Sequence, residues 1–369
     1  SIMATIGIAI GGSIGGLTAA IKLKEIYDVV YCITGFSEYN EASNTGMTRG
    51  LRTVNLRDEL EEIVVEGWEY WKKIGIQGDV VSGSITHKFP EETEYIFSKR
   101  HVELLRILDD ISPRKVHRES KQLDEYTVVE GTGIYKIKEI VNQLNKFAVK
   151  CGVKFISGHV TGVNVDERKT TVIYQDSSFV ENRITCDRCI MCIGNGSKYI
   201  ESNYDFIRPI SVWNEFSYYK VPEKMDQNGC WTWGTVNYIT GEVYKERLGF
   251  YVMLEEEDVI KIACDTSFVK REIEKNNLAE YRKQKEYFIK NIMKCKFTDV
   301  KYDECYYAVA PFLQQVGVLS VINAGGYGYC VPGIVLRAIS GGIVPENRQY
   351  DVQKREMERH DLSLLRSKL

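Results

Sequence analysis

The chain has 369 residues, of which 44% are hydrophobic and 27% charged, and its formal net charge is -3 at pH 7. This length is typical of about two domains, and the composition is that of an ordinary globular protein. The small net charge gives no electrostatic reason to expect a nucleic acid or an anionic membrane as a partner. No stretch approaches the ~18 consecutive apolar residues of a membrane span. The opening residues do not resemble a secretory signal, so we expect the ten cysteines to be reduced thiols in the cytoplasm.

The chain opens with the pattern of a strand, a glycine-rich turn, a helix and a second strand. Isoleucines alternate over 6–10, and a second apolar run covers 29–33, as expected of a βαβ unit. In the register Gly11-x-Ser13-x-x-Gly16 the first glycine forms the tight turn and Gly16 lets the helix pack closely. The N-terminus of the helix then faces an anion. Although Ser13 replaces the usual second glycine, this context favours a dinucleotide site over a tight turn in an empty α/β fold.

Helical and strand patterns alternate through the rest of the chain. The spacing of apolar residues predicts helices over 56–74, near 101–110, between Gly133 and Gly152, over 268–294 and over 349–369. Strands are predicted over 153–156, 160–165, 171–174, 184–193 and 316–321, with an antiparallel, aromatic-rich set over 209–265. Glycine clusters follow two of the strands, at 194–196 and 325–328. Candidate nucleotide-binding segments therefore occur at the start, in the middle and near the end of the chain.

Seven short segments, each weak evidence alone, follow one another in an order that resembles one family of flavoproteins. They are GGSIGGLTAAIKL at 11–23, GMTRGLR at 46–52, GTGIYKIKEIVNQLNKFAVKCGVKF at 131–155, CIGNGSKYI at 192–200, VIKIA at 259–263, CYYA at 305–308 and NAGGYGYCVPG at 323–333. The order resembles that of the D-amino-acid-oxidase superfamily, closest to the monomeric sarcosine oxidase branch. The resemblance implies FAD as the cofactor.

A second flavoprotein class shares part of this pattern. The opening segment is also similar to that of the aromatic-ring flavin hydroxylases. Those enzymes carry a Gly-Asp-Ala-like motif late in the chain, and the late glycine cluster at 325–328 has no aspartate. The comparison favours the oxidases.

The spread of the nucleotide-binding pieces and the resemblance together predict an α/β fold with two interleaved domains. A discontinuous, Rossmann-like FAD-binding domain is expected over 1–85, 131–208 and 305–369. A second α+β substrate domain, built on a mixed or antiparallel sheet, is expected over 86–130 and 209–304.

The resemblance also implies which residues bind the flavin. The candidates are Gly11, Gly12, Ser13, Ile14, Gly16, Thr34, Thr48, Arg49, Val160, Gly194, Cys305, Gly326, Tyr327, Gly328, Tyr329 and Cys330. Thr34 stands about where an acidic residue normally binds the ribose, so the ribose contact stays open. Cys305 matches a cysteine that forms a thioether to the flavin; the alternative is a buried, unreactive thiol.

Five residues are candidates for catalysis, namely Lys261, Arg49, Arg52, Tyr307 and Tyr251. The resemblance places Arg49 beside the flavin and Arg52 at a substrate carboxylate, which a planar guanidinium matches in bidentate fashion; the alternative is two solvated arginines. It places Lys261 over the flavin, where a cation helps dioxygen accept electrons. Strand alternation puts Lys261 and Ala263 on one face, which is either a site or solvent.

The resemblance bears on the substrate too. Cys330 is the nearest match to a lysine that helps hold the carboxylate in the sarcosine oxidase branch, so sarcosine is expected to be a poor substrate. Aromatic rings expected to face the flavin would suit a larger, cyclic or aromatic amine; they belong to Trp213, Phe216, Tyr218, Tyr251 and Tyr307. The alternative is ordinary core packing.

No metal site is expected. Cys186, Cys189 and Cys192 imitate the spacing of metal ligands, but no fourth ligand follows nearby. The five histidines share no spacing that would suggest catalysis.

The sequence predicts FAD-dependent oxidation of the C–N bond of a small amine or amino acid to an imine, with dioxygen as the second substrate and hydrogen peroxide as product. We expect a monomer or small homo-oligomer. Two alternatives stay open at this point: an aromatic hydroxylase that consumes NAD(P)H, and a non-catalytic flavoprotein subunit.

Overall fold

A computed structural model describes residues 2–35, 49–51, 58–77, 81–87, 121–123, 126–221, 231–237, 247–256, 258–265, 275–287, 289–290 and 296–368. The strands are β1 (Ile6–Ile10), β2 (Val29–Thr34), β3 (Arg49–Leu51), β4 (Val81–His87), β5 (Lys121–Leu123), β6 (Tyr126–Tyr135), β7 (Lys154–Ser157), β8 (His159–Val165), β9 (Thr170–Gln175), β10 (Glu181–Cys186), β11 (Arg188–Met191), β12 (Glu201–Ser202), β13 (Ile210–Lys220), β14 (Trp231–Asn237), β15 (Arg247–Glu256), β16 (Val259–Asp265), β17 (Thr298–Val309), β18 (Leu313–Val316) and β19 (Leu319–Ile322). The helices are α1 (Ile14–Lys24), α2 (Asp58–Lys73), α3 (Ile137–Lys150), α4 (Leu278–Tyr287), α5 (Val331–Ser340) and α6 (Arg348–Arg366).

A six-stranded sheet holds the predicted nucleotide-binding pieces together. Its strand order is β18-β19-β11-β1-β2-β7, and every neighbouring pair is parallel except the β18–β19 hairpin. The central strands are near-continuous apolar runs because helices and a second sheet cover both faces. The carboxyl ends of β1, β2, β11 and β19 therefore meet at one edge, where ligands bind in sheets of this kind.

The helical layer on this sheet is fixed by two buried tryptophans of α2. The indole N–H of Trp71 donates to Thr18 Oγ1 of α1 at 3.0 Å. The indole N–H of Trp68 donates to the carbonyl oxygen of Tyr329, just before α5, at 3.3 Å. Helix α2 thus holds both the first helix and the late glycine segment in place.

A five-stranded antiparallel sheet forms a second unit, with the order β14-β15-β16-β13-β17. One face of β13 packs against α4, where Lys285 donates to Ser217 Oγ at 2.8 Å and Arg282 pairs with Glu215 at 2.7 Å. Lys261 of β16, the strand next to β13, lies on the opposite face of this sheet. Two further sheets complete the described structure, one of β10, β9, β8 and β12 and one of β3, β4, β5 and β6.

The structure confirms several predicted elements, among them α2, α3 and α6. Two single strands were predicted wrongly. Residues 184–193 form β10 and β11 in different sheets, because the Asp187 carboxylate between them accepts from the Ile6 amide at 2.8 Å and ties the chain to β1. Residues 316–321 turn at Gly317, whose φ of 56° is left-handed, and so contribute to a hairpin. The predicted helix near 101–110 lies outside the described residues.

Three of the domain boundaries predicted from the sequence fall inside strands. The boundaries after residues 85, 130 and 304 lie within β4, β6 and β17 respectively. Within the part of the chain that the structure describes, no helix is both long and apolar enough to cross a bilayer.

Candidate functional site

The first glycine turn crosses the carboxyl edge of the six-stranded sheet. Gly11 has a φ of 127°, which disfavours any side chain. A Cβ atom there would lie 2.3 Å from the Cys192 carbonyl oxygen, and one on Gly16 would lie 2.0 Å from the Gly11 carbonyl oxygen. Both glycines are therefore required for α1 to start this close to β1 and β11, with Ser13 at its N-cap and Ile14 buried behind it. Such a helix start is suited to a phosphate group.

Two other predicted flavin-binding residues lie near the same edge. A Cβ atom on Gly12 would lie 3.1 Å from Thr34 Cγ2, so Thr34 at the end of β2 lies beside the turn. The Thr34 carbonyl oxygen accepts from the Gly158 amide at 2.9 Å, which brings the start of β8 here. Val160 of β8 is buried in the same apolar cluster as Ile33.

Gly194 links this edge to the antiparallel sheet. It has a φ of 55° and begins a 3₁₀ turn, Gly194–Tyr199, after β11. A Cβ atom on Gly194 would lie 3.7 Å from Ala308 Cβ. The neighbouring Asn195 donates to the Tyr306 carbonyl oxygen at 3.0 Å. The turn is thus joined to β17, the strand that carries Cys305.

The late glycine segment follows β19 at the same edge. Tyr327 stacks edge-on against Tyr329 and Phe312, with centroid distances of 6.1 and 5.7 Å, while a Cβ atom on Gly328 would approach the Tyr135 hydroxyl to 3.3 Å. The segment also contains Gly326. Cys330 is fully buried in the helical core.

A buried amide at the start of this segment has no partner. Asn323 is 3% exposed, and neither its Nδ2 nor its Oδ1 atom has a hydrogen-bond partner within the part of the chain that the structure describes. Buried polar groups are normally hydrogen-bonded. A polar ligand at the carboxyl end of β19 would supply the partner.

Two cationic side chains lie near the Phe216 ring, on the face of the antiparallel sheet opposite α4. Lys261 of β16 is fully buried, which excludes the solvent-facing alternative. Its ammonium lies 4.9 Å from the centre of the Phe216 ring, and the Arg49 guanidinium lies 5.8 Å from the same centre. The Lys261 ammonium also pairs with Glu255 Oε2 at 3.2 Å.

This environment makes the charge of Lys261 sensitive to pH. Burial, and then the nearby Arg49 cation, lower the pKa of Lys261 to about 7, while the Glu255 carboxylate opposes the shift. Lys261 can therefore gain or lose its proton near neutrality, as groups at functional sites often do.

Cys305 and Tyr307 of β17 are near this cluster. Cys305 is fully buried and packs in one apolar group with Phe216, Tyr218 and Met253. The side-chain amide of Asn214 donates to the Tyr307 hydroxyl at 3.4 Å. The structure thus brings Arg49, Lys261 and Cys305 to one region, while Thr48, Arg52 and the side chain of Tyr251 lie outside the described residues.

Sequence reasoning placed one aromatic ring on the wrong face and missed two polar groups. Trp213 packs against Tyr281 of α4, with a centroid distance of 6.1 Å, because it alternates with Phe216 along β13. Glu255 was missed altogether; a run of four acidic residues beside the lysine strand, at 255–258, was the available signal. Tyr218 was expected only as a ring, yet its hydroxyl is buried near the charges of Glu255, Asp303 and Arg49.

The Tyr218 hydroxyl has no hydrogen-bond partner among the described residues. Replacing Tyr218 with phenylalanine is therefore expected to leave the free energy of unfolding unchanged, or to raise it by up to ~1 kcal/mol, because a buried, unbonded hydroxyl costs desolvation energy. Denaturant unfolding tests this. Tyr70→Phe is the matched control, since its hydroxyl donates to Glu25 at 2.9 Å and its loss should cost ~0.5–1.5 kcal/mol. A Tyr218 variant as unstable as this control contradicts the prediction.

The three cysteines with metal-like spacing follow one another along the chain, with Cys186 at the end of β10, Cys189 in β11 and Cys192 just after β11. Cys186 donates to the Thr170 carbonyl oxygen at 3.3 Å, and burial raises the pKa of the Cys192 thiol to about 12. Within the described ranges, no three histidine, cysteine or acidic side chains are grouped as a metal site requires.

Comparison with solved protein structures identifies proteins that share this fold. No protein-family model matches the sequence, and no curated protein sequence matches it significantly. Among solved structures, NikD, an amino acid oxidase of nikkomycin biosynthesis, has a TM-score of 0.61 at 12% identity, covering 94% of this chain and 96% of its own. Glycine oxidase from Bacillus cereus has a TM-score of 0.58 at 14% identity, covering 95% and 98%. Iminodiacetate oxidase from Chelativorans sp. BNC1 has a TM-score of 0.58 at 12% identity, covering 92% and 97%.

The chain has the fold of these amino acid oxidases. The match extends over nearly the whole length of both chains, so it includes the six-stranded sheet as well as the antiparallel one. At these levels of identity the likeness concerns the fold, a mixed α/β architecture with mixed sheets.

Proposed function

We propose that the chain binds FAD and oxidises the C–N bond of a small amine or amino acid to an imine. The observation that carries the proposal is a fully buried lysine, Lys261, whose ammonium lies 4.9 Å from the centre of the Phe216 ring, with the Arg49 guanidinium 5.8 Å from the same centre, in a chain with an oxidase fold. When bound, FAD supplies the two-electron acceptor, and dioxygen regenerates it to give hydrogen peroxide. Two electrons and two protons thus pass from the CH–NH unit to dioxygen.

The residues present fit FAD. The turn at Gly11, Gly12, Ser13, Ile14 and Gly16 is too tight for side chains at its first and last glycines, which suits a pyrophosphate at the start of α1. Asn323 supplies an unbonded amide at the same edge. We assign the remaining contacts to Thr34, Thr48, Val160, Gly194 and the segment Gly326–Cys330.

The chain's own side chains provide charge and position. Arg49 and Lys261 make the antiparallel face electropositive, which favours an anionic group of the substrate and a neutral amine. We propose that Arg52 binds the substrate carboxylate and that Tyr251 and Tyr307 form the walls of the substrate pocket. The Tyr218 hydroxyl, buried on this face, would bond a polar atom of the substrate.

The finer assignments are also proposals. The sarcosine oxidase branch is supported by the order of the sequence segments, but Cys330 in place of a lysine argues against sarcosine. The rings of Phe216, Tyr218, Tyr251 and Tyr307 argue for a cyclic or aromatic amine. We propose that 1–85, 131–208 and 305–369 form the FAD-binding domain and that the remainder forms the substrate domain, with the three boundaries that cut β4, β6 and β17 moved to an end of each strand. We also propose that the protein is cytoplasmic and is a monomer or a small homo-oligomer.

Anaerobic mixing of the yellow protein with a panel of amines tests the function. Bleaching of the flavin absorbance without NAD(P)H, followed by hydrogen peroxide on admission of air, is the expected result. Bleaching only with NAD(P)H would indicate a hydroxylase, and no bleaching with either the amines or NAD(P)H a non-catalytic subunit. A protein that stays colourless after reconstitution with FAD would overturn the proposal.

Covalent attachment through Cys305 gives a separate prediction. Cys305 is fully buried on the same sheet as Lys261, and a thioether would keep the flavin on the protein through acid precipitation. We expect the yellow colour in the trichloroacetic acid pellet of the parent, and in the supernatant for Cys305→Ser. Cys151→Ser, at the end of α3, is the control and should behave as the parent. Colour in the parent's supernatant would show that the link does not form.

A further inference from the structure

A β-bulge lies in the strand beside Lys261. β15 pairs regularly with β16 as far as Leu254, and the register then shifts before Glu256. Glu255 is therefore the extra residue of the bulge. Bulges re-aim side chains and are frequent beside active sites. Here the bulge accompanies a glutamate whose side chain turns inward, although its neighbour Glu256 is exposed.

The inward glutamate reaches a lysine that is shielded from water. The side chain of Lys261 is 0% exposed and that of Glu255 is 6% exposed, and the ammonium and carboxylate are 3.2 Å apart. In a buried pair each charge depends on the other, because loss of one partner leaves the other without compensation.

The other titratable and charged groups near Lys261 come from three further strands. Arg49 of β3 opposes the lysine's charge, while Cys305 of β17 favours it. Tyr218 of β13 pairs in register with Lys261, and burial raises the pKa of its hydroxyl, so this group stays neutral. Glu255 is therefore the main group that offsets both the burial and the Arg49 cation.

We infer that Glu255 is a positioning residue, which holds the Lys261 ammonium in place and stabilises its protonated form. The inference rests on the proposed function, in which a charged Lys261 stabilises negative charge developing on dioxygen. Glu255 needs no contact with substrate or flavin for this role. It acts through the lysine alone.

The protonation of Lys261 can be followed without turnover. The full chain is labelled with ¹³C at the lysine side chains, and the Lys261 resonance is assigned by its absence in Lys261→Met. Glu255→Gln removes the charge but keeps the shape, and is expected to lower the pKa of Lys261 by ~1 unit or more, the scale of a nearby opposite charge. The control Glu256→Gln, at the exposed neighbour, is expected to leave that pKa unchanged.

The pH profile of flavin reoxidation gives the second readout. In the parent the rate should fall as pH rises through about 7, where Lys261 loses its proton. In Glu255→Gln the fall should move to lower pH, with a loss of about 5-fold or more at pH 7 if the pKa drops by one unit or more. In Lys261→Met the profile should be flat and low.

The outcomes separate the inference from the function on which it rests. An unchanged Lys261 pKa in Glu255→Gln overturns the inference. A shifted pKa together with parental reoxidation in Lys261→Met overturns the role of the lysine in the proposed function instead. If Glu255→Gln does not fold, Glu255→Asp is used; its shorter side chain should lower the pKa in the same direction by a smaller amount, and an unchanged value overturns the inference.

Discussion

Replacing Lys261 with methionine is expected to slow reoxidation of the flavin by dioxygen more than ~10-fold, the scale of losing a preorganised charge. Methionine roughly keeps the volume and the apolar stem but has no ammonium group. The charge is placed where water does not screen it, because Lys261 is fully buried. Stopped-flow mixing of the reduced protein with oxygenated buffer measures the rate. Equal rates in the parent and the variant would show that dioxygen does not react beside Lys261.

The lysine variant needs a control for stability. Lys261→Met leaves the Glu255 carboxylate buried without its partner at 3.2 Å, which costs ~3–5 kcal/mol. The double variant Lys261→Met, Glu255→Gln removes both charges and should recover much of that loss. If reoxidation stays slow in the stable double variant, the effect belongs to the missing charge and not to partial unfolding.

The lowered pKa of Lys261 also predicts how stability depends on pH. The unfolded chain keeps this lysine protonated up to its ordinary pKa of 10.5, whereas the folded chain releases the proton at about 7. Between these values the unfolded state binds more protons, so the contribution of Lys261 to the free energy of unfolding rises with pH. In Lys261→Met this contribution should be absent.

Replacing Gly16 with alanine is expected to abolish retention of FAD during gel filtration and to weaken its binding by more than ~10-fold, equivalent to ~1.4 kcal/mol. The added Cβ atom would lie 2.0 Å from the Gly11 carbonyl oxygen. Since that neighbour is backbone, the turn and the start of α1 must move apart. Such overpacking should also lower the free energy of unfolding by ~1–3 kcal/mol.

A nearby glycine provides the control for this variant. Gly35 follows β2, and among the described residues no atom lies within 4 Å of a Cβ atom built there. Gly35→Ala should keep parental stability and FAD content. Flavin absorbance after gel filtration and fluorescence titration with FAD measure both variants. Parental FAD affinity in Gly16→Ala would show that the cofactor does not bind at this turn.

The sequence by itself determined the local elements and the order of the glycine segments. The βαβ opening, α3 and the terminal helix could be predicted because apolar spacing and glycine positions act over a few neighbouring residues. Alternation in β16 likewise showed that Lys261 and Ala263 share a face. It could not show whether that face is wet or buried, because this depends on which strands pack against it.

Only the tertiary structure decided the charge environment of the site. Arg49 and Lys261 are far apart in sequence yet both lie close to the Phe216 ring, and Glu255 reaches Lys261 beside a bulge. The hairpin at Gly317 likewise depends on pairing with its neighbours in the sheet. The burial of a lysine, its ion pairs and its pKa all depend on contacts between segments that are distant in sequence, so no local pattern encodes them.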